Sequence, residues 1–317
     1  MYQTDVIIIG GGPAGSSCAW RLRQHGIECL ILDRAVFPRD KLCAGWITPE
    51  VLADLQFRPA DYPYGIIALR KLHVAIRGIR VGIPTLQYSI RRYEFDDWLL
   101  HRSGAPVGTH NASVIEQKNG RYLIDGTYSC TFLVGAGGTT CPVYKTFFKN
   151  AGMRLTEDLI VTQEEEFPYQ YTDSKCYLWF MENNLPGYAW YVPKENGYLN
   201  VGVGGKESGL KKQKDTIKRH WHILVRKLEE RGLVNGHDFT PKGHSYYLRN
   251  RMNGIRRENV FLIGDAAGLA TVDMGEGIGP AVRSGLYAAD AIACGKEYTF
   301  KSISRRSIRW QFLRLRK

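Results

Sequence analysis

The chain has 317 residues, 44% hydrophobic and 23% charged, which is ordinary for a soluble globular protein of one large or two intertwined domains. No apolar run reaches the roughly 18 residues of a membrane span, and Asp5 interrupts the N-terminal run, so we expect neither a span nor a signal peptide. Seven scattered cysteines without a C-x-x-C pair predict reduced thiols and a cytoplasmic location. The eight histidines form no metal-binding pattern, and we predict no metal.

The formal net charge is +12, and much of the excess lies at 206–231 and in the tail 301–317, KSISRRSIRWQFLRLRK. A basic, aromatic tail of this kind can lie on an anionic membrane surface, which would make the protein peripheral to the membrane. The alternatives are a solvated helix or a frayed terminus that docks on the body of the protein. No nucleic-acid recognition motif accompanies the charge, so we expect no nucleic-acid partner.

The first 33 residues predict a βαβ unit that binds a dinucleotide. An apolar run, Val6 to Ile9, enters GGGPAG, a helical stretch covers 14–23, and a second apolar run, 27–32, ends at Asp33. In such a unit the helix N-terminus directs free N–H groups and a partial positive charge at the pyrophosphate. The alternative is a plain βαβ turn without a ligand.

Each part of this unit has a predicted role. Gly10 permits the sharp turn, Gly12 leaves room for the pyrophosphate, and Gly15 lets the helix pack on the strand. Asp33 is placed to accept hydrogen bonds from ribose hydroxyls. Arg34 would stack on adenine or contact a phosphate, or it is a solvated surface arginine. The predicted cofactor-binding residues here are Gly10, Gly12, Pro13, Ala14, Gly15, Asp33 and Arg34.

The remaining elements alternate between parallel-sheet units and antiparallel blocks. In chain order we expect a short helix at 49–55, extended chain at 66–90, a helix at 93–101, a strand ending at 131–134, antiparallel strands at 158–204, an amphipathic helix at 209–231, a strand at 259–263 and a helix at 277–294. This order predicts a discontinuous cofactor domain (1–65, 92–150 and 252–298), a substrate or cap domain (66–91 and 151–251) and a basic tail (299–317).

A second glycine-rich corner follows the strand at 259–263. Gly264 and Asp265 end that strand, and Gly275, Gly277 and Ile278 open the last helix. A strand-end aspartate can accept hydrogen bonds from a polyol, and a helix start can face an anion or an electron-rich ring edge. In isolation, GDAAG is equally a strand–turn–helix corner. Together with the N-terminal unit it predicts FAD, because the ribityl and isoalloxazine parts extend past the first motif, whereas NAD needs no second site.

Four further segments carry a resemblance to a known family: FPRDKLCAGW, RRYEFDDWLL, GDAAGLATVDMGEGI and PGYAWYVPK. Over nearly its whole length the chain resembles the p-hydroxybenzoate hydroxylase-type flavoproteins and, among them, the geranylgeranyl reductase family. The resemblance implies an α/β fold with an FAD-binding Rossmann-like domain and an inserted antiparallel β-sheet substrate domain.

The resemblance also implies further site residues. It places Lys41, Cys43, Ala44 and Gly45 beside the flavin ring and Arg92 at the flavin phosphate or ribityl chain, while the neighbouring Arg91 is expected to face solvent. Cys43 would donate a proton or fill space, although a lone cysteine is more often a small buried hydrophobe.

An aromatic stripe in the cap domain is the other candidate. Tyr188, Trp190 and the run from Tyr177 to Phe180 either belong to the core or form an apolar slot for an isoprenoid or a flat ring. The predicted catalytic residues are Cys43, Tyr188 and Trp190.

The implied reaction is hydride transfer from reduced FAD to a C=C bond of a hydrophobic, isoprenoid-like small molecule. No second G-x-G-x-x-G is visible, so the electrons would come from transient NAD(P)H or a small redox carrier. One alternative is an FAD-dependent monooxygenase or halogenase, because GYAWYVP is close to the G-W-x-W-x-I-P of flavin halogenases, with Tyr188 in place of the first Trp. The other is a redox-coupled flavoprotein without alkene reductase activity, which the basic tail suggests.

Overall fold

The computed structural model describes residues 1–151, 154–250 and 254–307. The apolar and basic residues of the tail from 308 onward therefore lie outside the described part, and the membrane contact predicted for them stays a prediction. The chain divides into two compact units. The first contains Met1–Arg39, Asp96–Leu155 and the chain from Tyr247 onward, and the second contains Asp40–Phe95 and Thr156–Tyr246. Residues 40–65, which we expect in the cofactor domain, fall in the second unit. The domain ranges themselves stay a prediction.

The helices and strands follow the expected order. The helices are α1 (Pro13–Gln24), α2 (Pro49–Asp54), α3 (Arg92–Arg102), α4 (Glu207–Lys212), α5 (Ile217–Glu230) and α6 (Ile278–Cys294). The strands are β1 (Tyr2–Ile9), β2 (Cys29–Asp33), β3 (Trp46–Ile47), β4 (Ile67–Ile76), β5 (Ile79–Ser89), β6 (Val107–Thr109), β7 (Ile115–Lys118), β8 (Arg121–Ile124), β9 (Tyr128–Gly135), β10 (Leu159–Pro168), β11 (Cys176–Phe180), β12 (Gly187–Lys194), β13 (Tyr198–Lys206), β14 (Lys242–Tyr247), β15 (Arg256–Arg257) and β16 (Val260–Leu262).

The first unit is built on a mostly parallel sheet. Its strands lie in the order β15-β16-β9-β1-β2-β6, with β7 and β8 attached beside β9. The run from β16 to β6 is parallel, and β15 and β8 pair antiparallel to their neighbours. Val6–Ile9 and the whole of β2 are buried, as expected for strands that are covered on both faces. The predicted Rossmann-like α/β domain is confirmed.

The second unit is built on a mixed sheet with the order β14-β10-β13-β12-β11-β4-β5-β3. The pairs are antiparallel as predicted, except that β4 and β11 run parallel, with Leu72 beside Cys176. A tight turn fixes neighbouring strands as antiparallel, but a long excursion of the chain separates β4 from β11, so their direction is free. The sequence gives no signal for this exception.

The two faces of the second sheet have different surroundings. Side chains alternate between the faces along each strand, so Tyr191, Val201 and Val203 belong to one face and pack with Trp221 and Leu224 of α5. The opposite face carries Trp190, Gly202 and Glu164, which the strand registers place side by side. We call this second surface the open face of the sheet, to distinguish it from the face that α5 covers; Trp190 and Glu164, which lie on it, are themselves buried.

The single amphipathic helix predicted at 209–231 is in fact two helices. Lys214 adopts a left-handed backbone with φ of 53°, which ends α4. Thr216 then begins α5, because its side chain accepts a hydrogen bond from the backbone N–H of Arg219. The helical spacing of apolar residues, from Leu210 to Ile217 and Trp221, continues across this break, so periodicity alone does not reveal it.

Candidate functional site

The glycines of the first corner meet two different constraints. Gly10 has a φ of 113°, and a Cβ there would lie 2.5 Å from the oxygen of Ala136. A Cβ on Gly15 would lie 1.9 Å from the oxygen of Gly10. At Gly12, by contrast, the nearest atom to a Cβ is Nη2 of Arg39, at 3.5 Å. Packing therefore requires the first two glycines, while the space above Gly12 is open apart from the end of the Arg39 side chain.

Helix α1 begins at this open space. Gly12 is its N-cap, Pro13 follows, and the first turn contains no acidic residue. The partial positive charge of the helix start is therefore not neutralised by its own first turn. This arrangement can accommodate an anionic group such as a pyrophosphate, and the assignment of Gly12, Pro13 and Ala14 to a cofactor stays a prediction.

Asp33 braces the glycine turn. Its Oδ2 accepts a hydrogen bond of 2.7 Å from the backbone N–H of Gly11, and its Oδ1 accepts one of 2.9 Å from Ala35. Each carboxylate oxygen retains a further lone pair, so the predicted contact with a ribose hydroxyl is compatible with this bracing. Arg34, the next residue, is exposed, and its predicted contact with adenine or phosphate stays a prediction.

The second corner lies against the first. The backbone N–H of Gly264 donates a hydrogen bond of 2.9 Å to Oγ of Ser284, and this bond fixes the corner on α6. Gly264 has a φ of 59°, and a Cβ there would lie 2.9 Å from Cβ of Ala14, in the first turn of α1. A Cβ on Gly285 would lie 2.3 Å from the oxygen of the same alanine. Two corners that are remote in sequence thus meet within the first unit.

The start of α6 has the same character as the start of α1. Gly277 is its N-cap, and the first turn from Ile278 contains no acidic residue. A Cβ on Gly277 would lie 3.2 Å from Oδ1 of Asp265, so this carboxylate lies beside the helix start. Gly275 takes a φ of 64°, which favours glycine. These four predicted residues therefore cluster, although no bound group tests their role.

Sequence reasoning missed two arginines of the first unit. Arg154 donates hydrogen bonds to the oxygens of Ala266 (2.7 Å) and Thr139 (2.5 Å) and lies 3.6 Å above the ring of Tyr144. It ties the loop after β9 to the second corner. No motif surrounds Arg154 in the sequence, so only the three-dimensional contacts reveal it.

Arg39, the other missed arginine, lies in the FPRDKL segment and next to the open space above Gly12. Its Nη2 lies 3.4 Å from Oδ2 of Asp96, a fully buried carboxylate. This segment is one of those that support the family resemblance, so Arg39 could have been identified as a candidate from the sequence.

In the second unit, Lys194 clamps the loop that carries Cys43. Its Nζ donates to the oxygens of Ala44 (2.6 Å), Ile90 (2.8 Å) and Gly45 (3.2 Å). The side chain is fully buried, and this burial lowers the pKa of Lys194 to about 8. Gly45 has a φ of 66°, and a Cβ there would lie 2.5 Å from Nζ, so glycine is required for the clamp to close.

Asn200 links the same loop to Trp190. Its Nδ2 donates 3.3 Å to the oxygen of Cys43, and its Oδ1 accepts 2.7 Å from Nε1 of Trp190. The indole lies over Gly202, where a Cβ would be 2.2 Å from Cζ2. Tyr188 is the neighbour of Trp190 on the open face, with 5.7 Å between ring centroids. The structure therefore brings together the three predicted catalytic residues, while their chemistry stays a prediction.

Glu164 is the most unusual polar residue of the open face. It is buried opposite Gly202, and among the described residues its Oε2 has no hydrogen-bond partner. Burial raises the pKa of Glu164 to about 8, against the opposing attraction of Lys41 and Lys194. The carboxyl is therefore protonated at neutral pH. In the sequence, Glu164 is one of three successive glutamates, and only the strand register distinguishes it.

Lys41 belongs to the same surroundings. Its Nζ lies 2.7 Å from Nε2 of His244, and its charge is the largest of those that act to lower the pKa of Glu164. Its predicted place beside a flavin ring stays a prediction.

One expectation for the second unit is wrong. Arg91 does not face solvent, because it forms ion pairs with Glu94 (2.7 Å) and Glu166 (2.9 Å) and lies 3.4 Å above the ring of Tyr198. The run from Tyr177 to Phe180, for which core and slot were both open, divides between the two faces of the sheet. The strand register places Trp179 on the α5 face with the core and Phe180 on the open face beside Tyr188. Arg92 is buried at the start of α3.

The parts of the chain that the structure describes contain no group of three or more His, Cys, Asp or Glu side chains that could hold a metal ion. Among the same residues we find no helix that is both long and apolar enough to cross a membrane. All seven cysteines are free thiols.

The chain is similar to several known proteins. Residues 8–69 match the family described as NAD(P)-binding Rossmann-like domain. The chain is 32% identical to an uncharacterised protein of Methanosarcina barkeri, over 92% of this chain and 75% of that protein. It is 27% identical to menaquinone reductase of Mycolicibacterium smegmatis (92% and 77%) and 28% identical to digeranylgeranylglycerophospholipid reductase 1 of Methanopyrus kandleri (91% and 80%).

Solved structures share the fold. A geranylgeranyl bacteriochlorophyll reductase-like protein from Thermoplasma acidophilum superposes with a TM-score of 0.78 at 20% identity, over 97% of this chain and 81% of that chain. A flavin-dependent brominase gives 0.73 at 18% identity, over 94% and 81%. Fold and relatives together define the class as oxidoreductases with a Rossmann-like dinucleotide domain. Within this class, the chain belongs to the geranylgeranyl reductase / menaquinone reductase family of FAD-dependent oxidoreductases.

Proposed function

We propose that this protein binds FAD and uses it to reduce a C=C bond of a hydrophobic, isoprenoid-like molecule. The observation that carries the proposal is the meeting of two glycine corners within the first unit, where a Cβ on Gly264 would touch Ala14. The start of α1, whose first turn contains no acidic residue, would then face the pyrophosphate, and the start of α6, with Asp265 beside it, would face the other end of the same ligand. When bound, FAD supplies the hydride.

The residues of the first unit fit this cofactor part by part. The open space above Gly12 suits the pyrophosphate, and Asp33 retains lone pairs for a ribose. Asp265 stands beside the start of α6, where it suits the hydroxyls of the ribityl chain. The electron donor would be NAD(P)H or a small redox carrier.

The substrate class rests on the relatives and on the open face of the second unit. Menaquinone and digeranylgeranylglycerophospholipid, which name two of the relatives, both carry polyprenyl chains. On the open face, Tyr188 and Trp190 form an aromatic surface, and Phe180 stacks on Tyr188 with 4.8 Å between centroids. Such a surface suits an isoprenoid chain better than a polar substrate.

We assign proton handling to this same face. Glu164 holds a proton on its carboxyl at neutral pH, because burial raises its pKa to about 8. Lys194 and Asn200 hold the Cys43 loop in one position, so that the thiol is presented by a fixed backbone. The proton that completes the reduction would come from Glu164 or Cys43.

The test is anaerobic reduction of the purified, FAD-containing protein, followed by mixing with prenylated lipids or menaquinone. We expect the alkene to reoxidise the flavin and to gain two hydrogens in its polyprenyl chain. Fragment mass spectrometry must locate them there, because reduction of the quinone ring of menaquinone to the quinol adds the same mass. In a separate aerobic assay, oxygen consumption in step with substrate would instead identify a monooxygenase or halogenase. A flavin that cycles between its redox states without converting any alkene would identify a redox-coupled flavoprotein.

The variant Cys43→Ala should retain FAD and turn over more slowly. Unchanged rates would assign Cys43 to packing alone.

A further inference from the structure

The hairpin formed by β4 and β5 exposes a row of apolar side chains. Ile79, Val81 and Ile83 alternate along β5 onto one face, and they are 72%, 44% and 40% exposed. Ile76 and Leu86 extend the row at 40% and 42% exposure. Single exposed apolar residues are ordinary, but a contiguous group marks an interaction surface.

The same hairpin is strongly basic. Residues 67–89 contain no aspartate or glutamate, and their four cations are all exposed: Arg70, Lys71, Arg77 and Arg80. Long basic side chains can lay their aliphatic part on an apolar surface while the charged end reaches outward. Lys71 and Arg80 lie on the reverse face of the hairpin from the apolar row, where a Cβ on Gly82 would meet Cε of Lys71, and Arg77 lies in the turn. An apolar row with cations at its turn and on its reverse side fits an anionic bilayer that the hairpin enters at its turn, so that hydrocarbon meets the row and negative headgroups surround the cations.

The edge of β5 argues against a second copy of the chain as the occupant. Among the described residues, β3 pairs only with Tyr88 and Ser89, so the outer edge of the rest of β5 has no strand beside it. An open edge invites strand pairing. However, Pro84 has no N–H to donate, and self-pairing would bring the cations of both copies together.

The strand registers connect the apolar row to Trp190 on the open face. Val81 lies opposite Val74, Val74 lies beside Leu178, and Leu178 lies opposite Trp190. The next residue in this line is Gly202, and Glu164 follows. The exposed row is thus the outer end of the same face whose inner end carries the candidate catalytic residues.

We propose that the hairpin Ile67–Ser89 is a docking surface for an anionic lipid bilayer. Ile79, Val81 and Ile83 enter the interface, and the four cations contact the headgroups. Binding to lipid does not depend on the proposed reaction; only the idea that a lipid substrate enters along the open face rests on the proposed function.

The experiment is co-sedimentation of the full-length protein with vesicles of phosphatidylglycerol and phosphatidylcholine, against vesicles of phosphatidylcholine alone. Each cation near an anionic surface contributes about fivefold to the partition coefficient, so Arg77→Ser with Arg80→Ser should lower binding about 25-fold on the anionic vesicles. Ile79→Ser with Val81→Ser should lower it about tenfold. The tail from 308 onward is present in every variant, so its contribution cancels.

Matched controls come from elsewhere in the chain. Val36→Ser removes an apolar side chain that is also 72% exposed, and Lys212→Gln with Lys218→Gln removes two exposed cations. Both should bind vesicles like the parent protein. Equal losses in hairpin and control variants would overturn the proposal.

A measurement on the unmodified protein guards against variants that misfold. Amide hydrogen exchange at 76–86 should slow when anionic vesicles are added, and unchanged exchange there would refute the docking surface. The proposal would also be refuted if the protein formed a dimer without vesicles and Ile79→Ser dissociated that dimer. The hairpin would then bind a second copy of the chain. Vesicle binding without alkene turnover would leave this proposal intact and contradict the proposed function alone.

Discussion

The two glycine corners of the first unit and the open face of the second unit are built by opposite means. The corners consist of backbone atoms and missing side chains, as at Gly12 and Gly264. The open face depends on buried polar side chains, above all Lys194, Asn200 and Glu164. At Gly10, Gly15 and Gly264 the corners tolerate almost no added atom, whereas the open face is sensitive to the loss of a single charge or hydrogen bond.

The largest expected effect is on folding, at Gly15. In Gly15→Ala the new Cβ would lie 1.9 Å from the Gly10 oxygen, a backbone atom that cannot move aside cheaply. We expect a loss of about 3 kcal/mol in the free energy of unfolding, measured by denaturant titration. Gly12→Ala is the matched control, because its Cβ meets only the end of the Arg39 side chain. Equal stability of the two variants would contradict the packing role of Gly15.

Gly12→Val should separate cofactor binding from folding. Because a Cβ on Gly12 would meet only the end of the Arg39 side chain, we expect a valine to fit the apoprotein and to occupy the place proposed for the pyrophosphate. We expect purified Gly12→Val to be colourless, with a free energy of unfolding for the apoprotein within about 0.5 kcal/mol of the parent. The visible spectrum and a denaturant titration check both statements. Full FAD content in this variant would remove the pyrophosphate from this position.

Lys194→Met tests whether a buried side chain holds the Cys43 loop in place. The substitution leaves the three carbonyls of Ala44, Gly45 and Ile90 without their buried donor, and we expect a loss of about 3 kcal/mol. The freed loop should also expose Cys43, whose alkylation rate can be followed by peptide mass spectrometry. Lys206→Met, at an exposed lysine, is the control. Unchanged labelling of Cys43 would mean that Lys194 does not position the loop.

The smallest expected effect is the pH dependence contributed by Glu164. Its pKa is about 8 in the folded protein and near 4.5 when exposed, so the folded state holds the proton more tightly. Its contribution to stability is full below pH 4.5 and is lost as the pH rises through 8. Glu164→Gln cannot ionise and should avoid a loss of about 2.7 kcal/mol between pH 6 and pH 9.

Thermal unfolding at those two pH values measures this difference. Glu116→Gln, at an exposed glutamate, should behave like the parent. A parallel pH dependence in Glu164→Gln and the parent would show that the carboxyl is ionised in the fold.

The sequence predicts the corners well because their information is local. Gly10, Gly12 and Gly15 follow one strand at fixed spacing, and the second corner repeats the pattern of strand, turn and helix. No motif of neighbouring residues in the sequence predicts the open face. Glu164 differs from its neighbouring glutamates only by standing opposite Gly202, and this register depends on which strands pair. Arg91 was expected in solvent for the same reason, since its partner Glu166 lies on a strand far along the chain.

Asp33 bears on attempts to redirect the dinucleotide specificity that we propose for this protein. The acid that would select the sugar also anchors the Gly11 amide. A replacement of Asp33 chosen to suit a different nucleotide would also remove the acceptor that holds the glycine turn. Redesign at this position therefore needs a second substitution that supplies a new acceptor for that amide, and a single exchange would sacrifice affinity for every dinucleotide alike.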